Sequence, residues 1–370
     1  MTKISKQTRK ALEQIKPYVP GKPIEEVQRE FGLDDVIKMA SNENPLGPSP
    51  KAQEALREAI AGINIYPDGS HYHLKQELAR FHGLDPDCFI VGNGSDEVLK
   101  LLAETFINED DEGIMADPSF SEYDFAVSLM GGKIVKVPVN QELGLDLQAM
   151  AAAITDKTKL IFVCNPNNPT GTIVSGKELD AFMAKVPDHI IVVFDEAYYE
   201  YVGDDSYRSG FDYLKQGRQN VVVLRTFSKI YGLSGLRVGY GMAQPELIQW
   251  MSRTREPFNV NSLAQLGART ALGDNEFVET SRQVNNKGKE YLYQEFRARN
   301  ISFVPTHANF IFADVGVDCK EVFQSLLKQG VIIRTGDIFG YPTYIRVTVG
   351  TEEGNKRFIA ALDKTLKELR

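Results

Sequence analysis

Leu160-Ile161-Phe162-Val163-Cys164-Asn165-Pro166-Asn167-Asn168-Pro169-Thr170-Gly171 sets an apolar run directly against a turn rich in Asn and Pro. The run is too short for a helix and too uniformly apolar for a strand with one wet face. It reads as a strand buried on both sides, as in parallel sheets covered by helices. The turn beyond it is stiff, because each proline fixes its own φ and restrains the residue before it.

Comparable runs recur at 89–91, 133–137, 190–194, 221–224 and 237–240. Between several of them lie helical patterns at 96–106, 122–130 and 176–185. Strands alternating with helices predict an α/β fold with a mainly parallel central sheet and right-handed crossovers. The ends of the chain read differently. Residues 3–16, 24–31 and 51–61 look helical, and 35–50 reads as a polar, Pro-rich loop. Helices are expected at 246–255, 262–272 and 277–300. A final α+β segment follows, with strands at 310–313, 331–333 and 344–349 and helices at 320–328 and 351–369. The pattern predicts a large domain over 45–282 and a smaller α+β domain built from 1–44 and 283–370.

Length and composition agree with a globular chain. The 370 residues carry 42 Lys+Arg against 50 Asp+Glu, a formal net charge of −8. So acidic a chain is a poor candidate for general nucleic-acid or membrane-surface binding, although a local cationic pocket remains open. Apolar runs of about five residues fall far short of the roughly 20 that a membrane helix needs. The N-terminal residues lack the apolar core of a signal peptide. Cys88, Cys164 and Cys319 are scattered and odd in number, which suggests reduced thiols in a cytoplasm and neither a zinc site nor a disulfide framework. His71 and His73 are close together, and a solvated loop is the simplest account of them. No metal is expected.

Four segments carry chemistry, each placed where open α/β sheets bind ligands, beyond a strand end. Thr226-Phe227-Ser228-Lys229 runs on through two glycines to Arg237. Lys229 there is either a surface lysine or an amine whose pKa is lowered by an apolar, cation-bearing pocket, able to form Schiff bases. The nearby hydroxyls and Arg237 suit a phosphate. Asp195, in Phe194-Asp195-Glu196-Ala197-Tyr198, ends an apolar strand, and a buried carboxylate there needs a partner. A helix cap, a structural ion pair and a cationic ring nitrogen all satisfy that need, and Tyr198 could reach the same ligand. Asn168 in the opening turn is either a turn residue or a donor to a ligand oxygen. Gly92-Asn93-Gly94-Ser95-Asp96 leads into a helix start, which is an anion site or a plain turn. It is not a dinucleotide fingerprint.

Together, in this order, the segments resemble the aspartate-aminotransferase-like, fold-type-I family that uses pyridoxal 5′-phosphate (PLP). The terminal segments, with Lys16-Pro17-Tyr18-Val19-Pro20-Gly21, Ser41-Asn42-Glu43-Asn44-Pro45, Tyr66-Pro67-Asp68-Gly69, Arg334 and Tyr344-Ile345-Arg346-Val347, look like its histidinol-phosphate aminotransferase branch. The resemblance covers nearly the whole chain. It implies transamination of L-histidinol phosphate with 2-oxoglutarate, giving imidazole-acetol phosphate and L-glutamate in histidine biosynthesis, by ping-pong Schiff-base chemistry.

The roles it implies are specific. Lys229 would hold PLP covalently, and Asp195 would pair with the pyridine nitrogen. Tyr198 and Asn168 would contact the ring oxygen. Thr226, Ser228, Arg237 and the Ser95–Asp96 turn would cradle the phosphate. Phe120 would stack on the ring; many relatives carry Tyr there, so only stacking carries over. Tyr66 would reach the neighbouring subunit's cofactor, which implies a homodimer. Arg346 and Arg334 would bind the anionic ends of substrates, with Tyr18 and Asn44 nearby. Within the fold, an aromatic aminotransferase or a threonine-phosphate decarboxylase is the competing reading. A transcription regulator would need a DNA-binding domain that residues before Ala40 are too few to supply. A dinucleotide oxidoreductase lacks its fingerprint. A dead binding protein would not need Lys229, Asp195 and Arg237 together.

Overall fold

The computed structural model describes residues 7–13, 15, 17 and 21–370. Its strands, in chain order, are β1 (Ile37–Lys38), β2 (Phe89–Gly92), β3 (Glu112–Asp117), β4 (Lys133–Pro138), β5 (Thr158–Cys164), β6 (Ile191–Asp195), β7 (Val221–Thr226), β8 (Gly239–Ala243), β9 (Ser302–Val304), β10 (Phe310–Asp314), β11 (Val331–Ile332), β12 (Arg334–Thr335) and β13 (Tyr344–Thr348). Seven of them form one sheet in the order β2-β8-β7-β6-β5-β3-β4. All its pairings are parallel except those of β8, which is antiparallel to both neighbours. Since β8 reverses twice, β2 runs the same way as β7. The carboxyl ends of β2, β3, β5, β6 and β7 therefore open on one edge.

Burial follows from strand geometry. Successive side chains point to opposite faces. In β6, Val192 and Phe194 join the core on one face of the sheet, while Ile191 and Val193 join the core on the other. Both faces are covered by helices, so the strand must be apolar throughout.

The second sheet is antiparallel, in the order β12-β13-β10-β9. Its core gathers Met39, Leu292, Ile311, Val322, Ile345 and Phe358. The 35–50 segment is not all loop, because β1 pairs in parallel with β11. That pairing and the bond from Thr348 N to Met39 O (2.8 Å) carry Ala40, Ser41 and Asn42 toward the edge of the large sheet.

Four other expectations need correction. The strand expected over 237–240 starts at Gly239, and Arg237 itself sits in the left-handed region at φ 54°. Gly239 lies so close to the turn before the first sheet helix that a Cβ would stand 2.5 Å from Ser95 N. β3 and the helix Tyr72–His82 were not evident. His71, expected in a solvated loop, is buried at that helix's start, and burial pushes its pKa down to about 4. The helix expected over 246–255 ends at Met251. Of the helix expected over 3–16, residues 7–13 and 15 are described, and Lys10–Glu13 is a short 3-10 turn there.

Candidate active site

The carboxyl edge of the large sheet and the inner face of β13 enclose a cleft of about 450 Å³. Of the residues singled out by sequence, Ser95, Asp96, Phe120, Asn168, Asp195, Tyr198, Thr226, Ser228, Lys229, Arg237, Arg334 and Arg346 all line it. The volume lies within the range typical of small-molecule sites.

Asp195 terminates β6 at the floor, 4% exposed. Its Oδ2 accepts from the Tyr123 hydroxyl at 2.7 Å and its Oδ1 from Ala197 N at 3.1 Å. Burial pushes its pKa up to about 6, against the lowering pull of those two donors. A buried carboxylate with only neutral donors is under-compensated, and a cation brought into the cleft would relieve it.

Lys229 follows β7 and donates from Nζ to Ser41 O at 3.1 Å. Its amine stands 5.6 Å from the ring centre of Tyr198. Burial, with the Arg346 charge second, pushes its pKa down to about 8. The amine is thus far closer to its neutral, nucleophilic form than a surface lysine. Tyr198 is buried, accepts from Asn42 Nδ2 at 2.9 Å, and burial raises its pKa, so it stays protonated.

The third corner is an anion cradle. Gly94, at φ +83°, leads into the helix Ser95–Phe106, whose first residues, Ser95 and Asp96, line the cleft. Arg237 reaches across, with Nη2 2.9 Å from Asp96 Oδ2 and Nη1 3.5 Å from Ser228 Oγ. A Cβ on Gly94 would sit 2.7 Å from Arg237 Nη2, so glycine is what lets the guanidinium come in. Thr226 Oγ1 accepts from Ser228 N at 3.1 Å and fixes the turn that presents Ser228 and Lys229.

The opposite wall belongs to β12 and β13. Arg334 and Arg346 are cross-strand partners. Arg346 is buried and donates to Asn168 Oδ1 and to Ala40 O (2.8 Å). The Asn-Pro turn is held from beneath: Asn167 accepts from Ser119 Oγ (2.8 Å) and donates to Pro118 O (3.1 Å) and Thr170 Oγ1 (3.0 Å). Phe120 follows Ser119 and meets Tyr123 edge-on.

Two expected residues stand elsewhere. Asn44 is not on the cleft wall; its amide is given to Ile230 O (2.7 Å) and Ser281 Oγ (2.9 Å). Asn42, two residues earlier, occupies the cleft instead. Tyr66 is 80% exposed, stacked on Phe258 at 4.9 Å, away from this chain's own cleft. Tyr18 lies outside the described residues. Cys164 also lines the cleft, but burial pushes its thiol up to about 12, so it offers no thiolate. Among the described residues no His, Cys, Asp or Glu cluster fits a metal ion, and no helix is long and apolar enough to cross a membrane.

A depressed lysine, a buried carboxylate and an anion cradle at the edge of a mostly parallel sheet suit PLP, which presents a carbonyl, a basic ring nitrogen and a phosphate. Residues 34–362 match the family described as aminotransferase class I and II, and the chain belongs to that family. Within it, the chain is 58% identical to a histidinol-phosphate aminotransferase of Moorella thermoacetica, over 97% of this chain and 92% of that protein. It is 48% identical to histidinol-phosphate aminotransferase 2 of Carboxydothermus hydrogenoformans, over 98% and 99%. The histidinol-phosphate aminotransferase of Sinorhizobium meliloti, solved in complex with pyridoxal-5′-phosphate, shares the fold with a TM-score of 0.90 at 24% identity, covering 98% of both chains.

Proposed function

We infer that this chain is a PLP-dependent aminotransferase that moves the amino group of L-histidinol phosphate to 2-oxoglutarate, yielding imidazole-acetol phosphate and L-glutamate, in histidine biosynthesis. One observation carries the chemistry: the lowered amine of Lys229 and the buried carboxylate of Asp195 face one cleft between an anion cradle and two arginines.

Bound there, PLP supplies a carbonyl that accepts amines and a protonated ring that takes up the electron pair freed at the substrate carbon. Lys229 would provide the amine that holds it and, when free, would take up and return the proton at the substrate carbon. Asp195 keeps the ring nitrogen protonated. Tyr198 and Asn168 orient the ring oxygen, and Phe120 covers one ring face. Ser95, Asp96, Thr226, Ser228 and Arg237 hold the phosphate. Arg346 and Arg334 bind the phosphate of one substrate and a carboxylate of the other, since guanidinium pairs with both. One site can thus serve two unlike substrates in ping-pong order.

We extend the reading to the assembly. Ile60, Ile63, Ile65, Tyr66 and Phe258 are exposed apolar residues. Such a concentration favours a protein contact, here a homodimer in which Tyr66 completes the partner's site. Residues 45–282 would act as the large PLP-binding domain, with 1–44 and 283–370 as the small one. Support comes from the sheets, since the seven-stranded one lies within 89–243 and the four-stranded one within 302–348. Three free cysteines favour a cytoplasmic enzyme.

Borohydride reduction of the protein loaded with PLP, followed by peptide mapping, tests the cofactor role; label on a lysine other than Lys229 overturns it. Turnover tests the substrate. Histidinol phosphate should greatly exceed phenylalanine in kcat/KM with 2-oxoglutarate, and equal or reversed values would make the protein an aromatic aminotransferase.

A further inference from the structure

Tyr123 stands on the helix Glu122–Leu129, wholly buried. Its ring lies parallel to Phe162, with centroids 4.7 Å apart and planes 6° apart, and Phe120 meets it edge-on at 5.6 Å. A phenylalanine would make these contacts equally well without the cost of burying a hydroxyl. The hydroxyl must therefore answer to its partner, Asp195 Oδ2, at 2.7 Å. Burial raises the Tyr123 pKa, so the shared proton belongs to the phenol and the carboxylate is the acceptor.

We propose that Tyr123 is a positioning residue for the transamination: its hydroxyl aims the Asp195 carboxylate and holds it as the anion that a protonated ring nitrogen requires. The proposal rests on PLP occupying this cleft. It goes beyond the residues that touch the cofactor, because Tyr123 acts only through Asp195. No cation is among the groups that act most strongly on the carboxylate. Asp96 and Glu196 are like charges, while Cys164 and Tyr198 are protonated groups that burial keeps neutral. Besides Tyr123, the carboxylate's hydrogen-bond donor is the backbone N–H of Ala197. Removing the phenol therefore leaves one donor against full burial.

The test is Tyr123→Phe in the full chain, stripped of PLP and titrated with it. The dissociation constant for PLP should rise about tenfold, the scale of one hydrogen bond to a charged group. The acid-side midpoint of PLP binding should move to higher pH, because Asp195 then protonates more readily. With substrates, kcat should fall while KM changes by less than about twofold. In an Asp195→Asn background, Tyr123→Phe should have almost no further effect on PLP binding. An equal loss in both backgrounds would mean that the hydroxyl acts independently of Asp195, and would overturn the proposal. So would a variant whose PLP affinity and acid midpoint match the wild type. If wild-type protein took up no PLP on Lys229, the functional reading itself would fall. Normal wild-type uptake with an unaffected Tyr123→Phe would remove only the role of Tyr123.

Discussion

Arg346 on β13 donates through one guanidinium nitrogen to Oδ1 of Asn168, in the turn after β5, and through the other to Ala40 O at 2.8 Å. The bond to Asn168 ties a strand of the second sheet to the carboxyl edge of the first, across the cleft. The same planar fork is the group proposed to take the substrate's anionic end. Lysine at this position keeps the charge and loses the fork. Arg346→Lys should lower kcat/KM for histidinol phosphate and for glutamate alike, by about 10- to 100-fold. PLP affinity should change little. Steady-state kinetics with both substrates, beside a PLP titration, checks this; a loss confined to one substrate would show that the two do not share the arginine.

Lys229 should show its depressed pKa directly. An amine held at about 8 becomes neutral as pH rises through that value, whereas an ordinary lysine does so near 10.5. Trace acylation of the PLP-free protein, followed by mass spectrometry of the peptide, should give a labelling rate for Lys229 with a midpoint near 8. Exposed lysines in the same digest serve as the internal comparison. A midpoint near theirs would mean that Lys229 is solvated, and would remove the reason for its nucleophilicity.

Much of this site was legible in the chain because its key residues terminate buried strands. A run such as 190–194 can only be a two-face-buried strand, so Asp195 had to stand at its end. The same logic placed Asn168 and Lys229. Other parts left weaker traces. Glu112-Gly113-Ile114-Met115-Ala116-Asp117 has a single β-branched residue, and its strand identity comes from burial between β4 and β5. His71 opens its helix from the left-handed region with no side-chain cap, so the start carried no signal. Asn42 and Asn44 differ only in which faces the cleft, and that choice is made by β1 pairing with β11 almost 300 residues away. Tyr123 carries no signal of its own within the helical pattern at 122–130, because its partner lies 72 positions on.

Asp195 should trade stability for function. Its folded pKa, about 6, lies above the ordinary 3.8. The PLP-free protein therefore binds this proton more tightly than the unfolded chain does. The favourable term is complete below pH 3.8 and is lost as pH rises through about 6. Asp195→Asn removes the buried charge. It should stabilise PLP-free protein at pH 8 by roughly 3 kcal/mol, with the gain vanishing toward pH 4, and it should weaken PLP retention sharply. Urea unfolding at the two pH values measures the first effect. A variant less stable than wild type at pH 8 would contradict the account.

Next to Asp195, the Glu196 carboxylate is buried against Arg225 at 2.8 Å, with Ser209 Oγ and Gly210 N also donating to it. Arg225 in turn lies over the Tyr199 ring at 3.7 Å. Arg225→Met fills similar space and strands the carboxylate. The expected loss is about 3–5 kcal/mol, far more than any surface pair would show. Adding Glu196→Gln should recover much of it, since the uncompensated charge is then gone. Denaturant unfolding of the single and double variants decides; a double variant as unstable as Arg225→Met would place the loss in packing.

Tyr66 gives the assembly its own test. In one chain it is exposed and merely stacked on Phe258. Tyr66 does not line its own chain's cleft, and the proposed dimer gives its hydroxyl a partner in the cleft of a second copy. Tyr66→Phe keeps the ring and the stack but removes the hydroxyl. It should leave the dimer intact by sedimentation and weaken PLP binding several-fold, about the worth of one hydrogen bond to an anion. Mixing it with a Lys229→Ala variant sharpens the result. In such a heterodimer, the cleft that retains Lys229 also receives an intact Tyr66 from the other subunit. That single cleft should bind PLP with wild-type affinity, while the Tyr66→Phe homodimer does not. If the mixed protein binds no better than the homodimer, Tyr66 acts within its own chain and the shared site is wrong.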